Sequence, residues 1–410
     1  MASTDQVRYV SASIVRPASC TMDTTDNLRI ALTAWDLKLL TIQYIQRGLL
    51  FTKPKLEGSQ AFSNMASNLK VSLSLALDHF VSLLKNTMMT EPPPLSTLTV
   101  ILPGQSVSKP ELTDGIFVGC SINHAVCDGT SFWHFMNSWS EIAISAVGGK
   151  SPCSIVLHPP ILERCFLNNT NRPIRLPISV DAEHFQKSLV HRSDYCVRFY
   201  HFTRETIATL KAKANSEISP ANGHGISSLQ ALLAHVWVAV TRARHLDPDE
   251  DVKYFIAVGN RTRLIPHLPQ EYFGNSVQGV VATAKVRDLL ERGPSWGALL
   301  LNQAIMSSND TTIRCSWDSW VQKPAFQQLE FLFNSSSLLT GGSPRFNMYG
   351  NDFGWGQPIA VRSGVANKCD GKISVIPGLI EGSSSVEACL SSDTLTAMED
   401  DTEFIKTISI

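Results

Sequence analysis

The sequence lacks several features that would place it in a special class. It contains no run approaching the roughly 18 consecutive apolar residues that a membrane-spanning helix needs, so no such segment is predicted. It also lacks an excess of either charge, because 35 Lys and Arg against 36 Asp and Glu give a net charge of −1. Bulk electrostatics therefore predicts neither a nucleic-acid nor an anionic-membrane partner. Any anionic ligand must be held by a local cluster.

Targeting signals and paired cysteines are also missing. The first residues, Met-Ala-Ser-Thr-Asp-Gln, resemble no secretory signal, and the last, Thr-Ile-Ser-Ile, match no common address. The nine Cys include no C-x-x-C pair, a pattern typical of reduced thiols rather than of disulfides or metal sites. We therefore expect a cytoplasmic protein, monomeric and without a metal.

The chain is too long for a single hydrophobic core. Its 410 residues favour two domains. A segment rich in Asn and Pro, 166–190, has the composition of an extended crossing segment. We predict an N-terminal domain at 1–165, this crossover at 166–190, and a C-terminal domain at 191–410.

Hydrophobic periodicity indicates the main elements. Strands are predicted at 7–15, 40–52, 115–120, 195–202, 254–258, 373–376 and 386–390, with a further apolar run at 329–333. Helices are predicted from Thr33, and at 63–84, 131–146, 204–215, 226–244, 287–306 and 395–405.

The stretch most suggestive of chemistry is 121–130, which reads Ser-Ile-Asn-His-Ala-Val-Cys-Asp-Gly-Thr. The spacing of His124 and Asp128 is weak evidence by itself, because His245 and Asp249 repeat it in a charged loop. His124, however, directly follows an apolar strand. A neutral imidazole there can take a proton from a hydroxyl or amine, which typically contributes about 10² to 10⁴ in rate. The alternative is a structural histidine.

The role of Asp128 stays open at this level. Its carboxylate could orient His124 through Nδ1, or it could hold the loop by pairing with a cation. Arg261, at the end of a predicted buried strand, is a candidate partner because an unpaired charge there is costly. Arg263 fits a surface loop better. Trp355, among closely spaced glycines, could donate its indole N–H to an oxyanion or serve as a packing anchor.

Three stretches together point to a family. Residues 124–129 read His-Ala-Val-Cys-Asp-Gly, 272–275 read Tyr-Phe-Gly-Asn, and 352–356 read Asp-Phe-Gly-Trp-Gly. In this order they resemble the plant BAHD acyltransferases, which are acyl-CoA-dependent H-x-x-x-D enzymes. The resemblance covers nearly the whole chain. The Ala-Val-Arg-Ser-Gly at 360–364 resembles the branch with many uncharacterised acetyltransferase-like members.

The resemblance implies an α/β fold of two chloramphenicol-acetyltransferase-like domains, each a mixed sheet with flanking helices, and a channel between them with His124 at its middle. It implies that His124 is the general base. Acyl-CoA would be a co-substrate and not a permanently bound cofactor. The other partner would be a small-molecule acyl acceptor with a hydroxyl or amine.

The same resemblance implies roles for further residues. Ser227 and Ser228, at a helix N-terminus, are where contact with CoA phosphates is expected. Asp128 becomes structural and pairs with Arg261. The residues expected to support the site are Asp128, Arg261, Asp352, Gly354, Trp355 and Gly356.

Two departures from the family pattern bear on function. The span 86–109 is short and rich in proline where the family has several strands, so the N-terminal domain is expected to be shortened and the chain could be an inactive truncated member. Gln357 stands where shikimate transferases of the family carry Arg, which disfavours that kind of carboxylate acceptor. A lyase on the same fold acting on an isochorismate-type conjugate is a further alternative, which the presence of His124 disfavours.

Overall fold

The computed structural model describes residues 13–19, 31–52, 59–80, 96–101, 115–147, 158–167, 174, 176, 195–218, 223, 225–325 and 335–409; for 59–63, 96–101, 146 and 147 it describes the backbone alone. Most of the predicted strand at 7–15, the apolar run at 329–333 and most of the predicted crossover at 166–190 lie outside these residues.

Nine helices and ten strands form within the described residues. The helices are α1 (Ala34–Lys38), α2 (Ser59–His79), α3 (Gly129–Val147), α4 (Arg204–Glu217), α5 (Ser228–Ala243), α6 (Val286–Met306), α7 (Asp310–Gln322), α8 (Ser392–Asp400) and α9 (Thr402–Ile405). The strands are β1 (Ile45–Thr52), β2 (Ser96–Ile101), β3 (Gly115–Ile122), β4 (Cys196–Phe202), β5 (Asp251–Gly259), β6 (Val277–Lys285), β7 (Ser337–Thr340), β8 (Ala360–Ser363), β9 (Lys372–Pro377) and β10 (Ser384–Leu390).

A first sheet, in the order β2-β3-β1-β8, is antiparallel throughout. β1 and β3 pair along their whole length, from Ile45 opposite Ile122 to Thr52 opposite Gly115. β8 comes from the distant C-terminal half yet pairs with β1. The segment after residues 352–356 therefore belongs to the first sheet, although the predicted C-terminal domain at 191–410 contains it. The domain limits themselves stay a prediction.

The short span 86–109 contributes an unexpected strand. Residues 96–101 form β2, which pairs antiparallel with β3 from Ser96 opposite Ile122 to Ile101 opposite Phe117. From the resemblance, a missing block of sheet was expected here. Instead β3 has a hydrogen-bonded neighbour on each side. The rest of the span lies outside the described residues.

A second sheet, in the order β4-β10-β9-β7-β5-β6, is mixed, because β7 runs parallel to both β5 and β9. Its main helix, α5, begins at Ser227, whose hydroxyl accepts from the backbone N–H of Gln230 while the Gln230 side chain accepts from the Ser227 N–H. This capping box satisfies two helix N–H groups that lack internal partners. Helix α5 itself is buried on almost all sides, so it forms the centre of the second core.

Several elements differ from their predictions. β5 alternates between buried and exposed residues instead of being buried throughout, because only one of its faces meets the core. Helix α6 is interrupted at Gly293, which has φ of 71° and precedes Pro294. The closing helix is two, α8 and α9, since Asp401 leaves helical geometry and caps the second. Besides β2, the elements β6, β7, β8 and α7 were not predicted from the sequence.

Two main cores follow from the two sheets. The first packs β1 and β3 against α2 and α3, and it includes Phe273, Phe353 and Val361 from the C-terminal half. The second packs the larger sheet against α4, α5 and α6. Among the described residues, no helix is both long enough and apolar enough to span a bilayer. The fold is therefore α/β with two sheets and flanking helices.

Candidate active site

His124 lies just beyond the end of β3, in the turn that leads to α3. The turn is closed locally, because the Asn123 side-chain oxygen accepts from the Ala125 N–H at 2.9 Å. His124 lines a cavity of about 720 Å³ between the two sheets. The first sheet contributes Arg47 to this cavity and the second contributes Phe255. The strand end thus places an imidazole in a space that both halves enclose.

The surroundings of His124 favour its neutral form. Burial lowers the pKa of the imidazole, and the positive charge of Lys372 lowers it further. The carbonyl of His124, the charge of Asp128 and the side chain of Asn275 raise the pKa but do not offset burial. A neutral imidazole near pH 7 has a free lone pair, so His124 can accept a proton there.

Asp128 is held by the other half of the chain and not by His124. Its two oxygens accept from the Arg261 guanidinium at 2.7 and 3.1 Å and from the backbone N–H groups of Ser131 and Ser276 at 3.0 Å each. Burial raises the pKa of Asp128, but the Arg261 charge and these hydrogen bonds lower it below its ordinary value. Among the described residues, the buried Nδ1 of His124 has no hydrogen bond to Asp128. The geometry matches a structural pair.

Asn275 connects His124 to a buried carboxylate that the sequence analysis missed. Its side-chain nitrogen donates to the His124 carbonyl at 2.7 Å and to Asp36 at 2.9 Å. Asp36 is fully buried and also accepts from the backbone N–H and hydroxyl of Thr33. Asn275 therefore fixes the backbone of the turn that carries His124 relative to α1. The Tyr-Phe-Gly-Asn stretch was recognised as a motif, but nothing local in it indicated this contact.

Arg164 is a second missed residue. It is buried and donates to the carbonyls of Phe273 at 2.5 Å and Val126 at 3.1 Å. Gly274 must lack a side chain here, because a Cβ would collide with the Arg164 guanidinium. Arg164 thus ties the turn after His124 to the stretch that carries Asn275. An isolated Arg at the edge of a predicted crossover gives no sequence signal for such a contact.

Gly129 is the first residue of α3 and has no unusual φ, so the turn after His124 does not depend on its conformational freedom. A Cβ at this position would lie 3.0 Å from the Phe346 ring. Gly129 therefore makes room for a neighbouring aromatic side chain.

Residues 352–356 form a tight turn behind the first sheet. One oxygen of Asp352 accepts from the backbone N–H groups of Gly354, Trp355 and Gly356 at 2.8, 3.1 and 3.0 Å. The two glycines have φ of 101° and 103°, a region that other residues rarely adopt. The Trp355 ring packs against Phe51 and does not line the cavity that contains His124. Of the two roles considered for Trp355, the geometry matches the packing anchor.

The structure places other candidates away from the cavity. Ser227 caps α5 with its hydroxyl, Ser228 is exposed, and neither lines the cavity. Gln357 is exposed and also outside the lining, so the reasoning that linked it to acceptor choice has no geometric support. The exposed His245, with φ of 48°, lies in the polar loop before β5.

Arg263 is not a free surface residue. Its guanidinium donates to the carbonyls of Ile305 and Ser308 at 3.2 and 2.7 Å. These carbonyls lie at the C-terminal end of α6, where a cation is favoured by the helix dipole. Arg263 thus lies in the loop after β5, as expected, but it is half-buried and its guanidinium is held by carbonyls at the end of α6.

Comparison with known proteins agrees with this geometry. Residues 107–405 match the family described as Transferase family. An uncharacterized acetyltransferase of Arabidopsis thaliana is 32% identical, with 98% of this chain and 99% of that protein covered. The aligned length of 452 residues exceeds the 410 of this chain, so the relative carries stretches without a counterpart here. BAHD acyltransferase DCR of Arabidopsis thaliana is 31% identical, over 73% of this chain and 62% of its own length.

Solved structures share the fold at low sequence identity. F. sporotrichioides TRI101, complexed with Coenzyme A and T-2, superimposes with a TM-score of 0.70 at 15% identity, covering 93% of this chain and 99% of that chain. Vinorine synthase gives a TM-score of 0.67 at 18% identity, with 98% and 99% covered. The two sheets with flanking helices are thus a fold that solved structures share. By its sequence matches and by this architecture, the chain belongs to the Transferase family and is an enzyme of the BAHD acyltransferases.

Proposed function

We propose that this enzyme moves an acyl group from a CoA thioester to a hydroxyl or amine of a small plant metabolite, with His124 as the general base. The observation that carries the proposal is the position of His124. His124 lines a cavity bounded by both sheets, while Arg261 pairs with Asp128 and so holds the carboxylate apart from the imidazole. An otherwise uncommitted, neutral imidazole is thereby left for proton transfer.

The reaction follows from this arrangement. His124 takes the proton of the acceptor, and the freed oxygen or nitrogen forms a bond to the thioester carbonyl carbon. The tetrahedral intermediate then collapses, the carbon–sulfur bond breaks, and the CoA sulfur receives the proton from His124. Acyl-CoA is consumed in each turnover, so it is a co-substrate and no permanently bound cofactor is needed.

The relatives support acyl transfer without fixing the acceptor atom. An omega-hydroxypalmitate O-feruloyl transferase of Arabidopsis thaliana is 29% identical over 60% of this chain, and an anthranilate N-benzoyltransferase of Dianthus caryophyllus is 29% identical over 64%. Both O- and N-acylation occur among them, so either acceptor is proposed here. Ser227 and Ser228 remain the proposed contacts for CoA phosphates, and Asp352, Gly354, Trp355 and Gly356 the proposed supports of the site.

An inactive truncated member is the alternative that the short span 86–109 motivates. Strand β2 and the cavity around His124 support the active enzyme, since the sheet beside the catalytic turn has its edge strand. Ligand binding separates the two: an active site that binds acyl-CoA raises the unfolding temperature as the ligand concentration increases. If the unfolding temperature does not rise with any acyl-CoA, the inactive truncated member is supported.

The test of the proposed base is replacement of His124 by Ala. CoA release is followed with acetyl-, benzoyl- and hydroxycinnamoyl-CoA and a panel of alcohols and amines. We expect turnover to fall by about 10² to 10⁴. His245→Ala is the matched control, because it removes the other histidine of the same spacing from an exposed loop. Unchanged turnover in His124→Ala would rule out the proposed base. Monomer state and cytoplasmic location remain predictions, to be checked by mass in solution and by cell fractionation.

A further inference from the structure

The two sheets bring four charged side chains together in the cavity that His124 also lines. Arg47 lies on β1, opposite Ser363 of β8. Ser363 donates to Glu387 of β10 at 2.5 Å, and Lys372 begins β9, opposite Cys389. Arg47, Lys372 and Glu387 line the same cavity as His124, as does Lys368. This cluster, Arg47, Lys368, Lys372 and Glu387, is not used by the proposed reaction.

The charges of the cluster do not balance. Glu387 is 1% exposed and forms an ion pair with Lys368 at 2.7 Å. Arg47 donates to the Gln46 carbonyl, and within the described part of the chain neither Arg47 nor Lys372 has a carboxylate within 4 Å. One carboxylate therefore faces three cations. Arg47 and Lys372 are half-buried, and a partly desolvated cation without a counter-ion is costly, so a ligand that brings a negative charge is favoured.

The position of Lys372 distinguishes between possible anions. The Lys372 amine fits beside Gly341 because this residue has no side chain. A Cβ on Gly341 would lie 3.2 Å from the Nζ of Lys372. Lys372 is also close enough to His124 for its charge to lower the pKa of the imidazole. The CoA phosphates are separated from the thioester by the whole pantetheine arm. With the thioester carbonyl next to His124, these phosphates lie far from the cluster, so a charge nearer the reacting atoms is required.

We propose that Arg47 and Lys372, with Lys368 held by Glu387, form a subsite for a carboxylate of the substrate. The inference deepens the proposed acyl transfer and rests on it. The carboxylate belongs either to the acceptor or to the acyl group of the donor, since both reach His124. Burial lowers the pKa of Lys372 to about 8, so its ammonium form still predominates at pH 7. The expectation based on Gln357, that a carboxylate acceptor is disfavoured, concerns a residue outside this cavity.

The first experiment measures binding without turnover. Thermal unfolding is followed with benzoate against benzamide and with malonate against malonamide, which differ in charge more than in shape. We expect the acids to bind at least about tenfold more tightly than the amides, and Arg47→Gln and Lys372→Met each to remove that difference. Lys372→Arg should retain it. Lys211→Met, on the exposed face of α4, is the matched control. Equal binding of acids and amides, or a preference unchanged in both cluster variants, would overturn the subsite.

A second pair of measurements identifies the source of the carboxylate. Dissociation constants are compared for malonyl-CoA and acetyl-CoA, and for 4-hydroxybenzoate and 4-hydroxybenzamide with CoA present. The pair whose preference is lost in Lys372→Met identifies donor or acceptor. If His124→Ala stops acyl transfer while acids and amides bind alike, the subsite fails and the proposed function stands. If acid preference depends on Arg47 and Lys372 but His124→Ala turns over normally, the proposed base fails and the subsite stands.

Discussion

Arg261 binds both carboxylate oxygens of Asp128, at 2.7 and 3.1 Å, across 133 residues of sequence. Both side chains are 5% exposed, so the pair joins the turn that carries His124 to the C-terminal half in a nearly water-free setting. The same guanidinium also donates to the carbonyls of Tyr272 and Gly274. Both residues of the H-x-x-x-D spacing line the cavity, but Asp128 is committed to Arg261 and holds the turn in place.

Breaking this pair should destabilise the protein strongly. Asp128→Ala leaves the Arg261 charge buried without its partner, and we expect a loss of about 3–5 kcal/mol in the free energy of unfolding. The control is Asp249→Ala, which removes the Asp of the other H-x-x-x-D spacing. Its carboxylate is 73% exposed and pairs with Arg287, so a loss of about 0–1 kcal/mol is expected. Chemical unfolding of both variants checks this, and equal losses would contradict a special role for Asp128.

Elements whose signal lies within a few neighbouring residues were predictable, and elements defined by distant contacts were not. Helix α5 was predictable because its apolar periodicity and its Ser227–Gln230 capping box lie within a few residues of each other. Strand β6 was missed because Gly279 interrupts its alternation and its pairing with β5 is a tertiary property. Local pattern therefore recovered most regular elements but not those defined by their neighbours.

Some residues of the site were likewise predictable from the sequence, and others were not. His124 was recognisable because it follows an apolar strand and belongs to a motif. Asp36 and Asn275 meet across 239 residues, and Arg164 reaches Phe273 across 109. A single buried polar residue has no periodicity, so its partner is known only once the chain is folded. The cluster of Arg47, Lys368, Lys372 and Glu387 could not be predicted for the same reason, since its members come from three strands and one loop.

Asn275 should act on catalysis through the position of His124. Asn275→Ala removes the hydrogen bonds to the His124 carbonyl and to Asp36. We expect kcat to fall about 10- to 100-fold, because small displacements of a catalytic group have such effects, while the KM for acyl-CoA changes little. Asn302→Ala, which alters a buried Asn near Gln230 in the second core, is the control for stability loss alone. A parallel rise in KM with unchanged kcat would contradict the positioning role.

Replacing a glycine of the turn at 352–356 by a residue with a Cβ should lower the free energy of unfolding. Gly354 and Gly356 have φ of 101° and 103°, and at Gly356 a Cβ would meet nothing within 4 Å. Any cost of Gly356→Ala is therefore backbone strain, expected at about 1–3 kcal/mol in unfolding free energy. Gly259→Ala, where space is also open and φ is ordinary, should change stability by less than about 0.5 kcal/mol. Similar unfolding midpoints for the two variants would contradict the strain argument.

The pH dependence of kcat/KM should report the depressed pKa of His124. Burial favours the neutral imidazole, so activity should rise as the pH increases through a midpoint below the ordinary value of about 6.5 and then level off. Lys372 contributes to the depression, and its replacement in Lys372→Met should move the midpoint to higher pH. A neutral acceptor and acetyl-CoA are used, so that loss of the carboxylate subsite does not interfere. A midpoint above 6.5 in the unmodified enzyme would contradict this assignment of the base.

Carboxylate binding should weaken on the alkaline side for a separate reason. The pKa of Lys372 is lowered to about 8, mainly by burial and also by the charge of Arg47, although Cys369, Cys389 and Glu387 raise it. The ammonium form is therefore present below pH 8 and is lost as the pH rises through that value, because a lysine with a lowered pKa releases its proton earlier. We expect the preference for benzoate over benzamide to decline between pH 7 and 9. In Lys372→Arg the preference should persist across this range, since an arginine keeps its charge. A decline of the same size in that variant would assign the titration to a group other than Lys372.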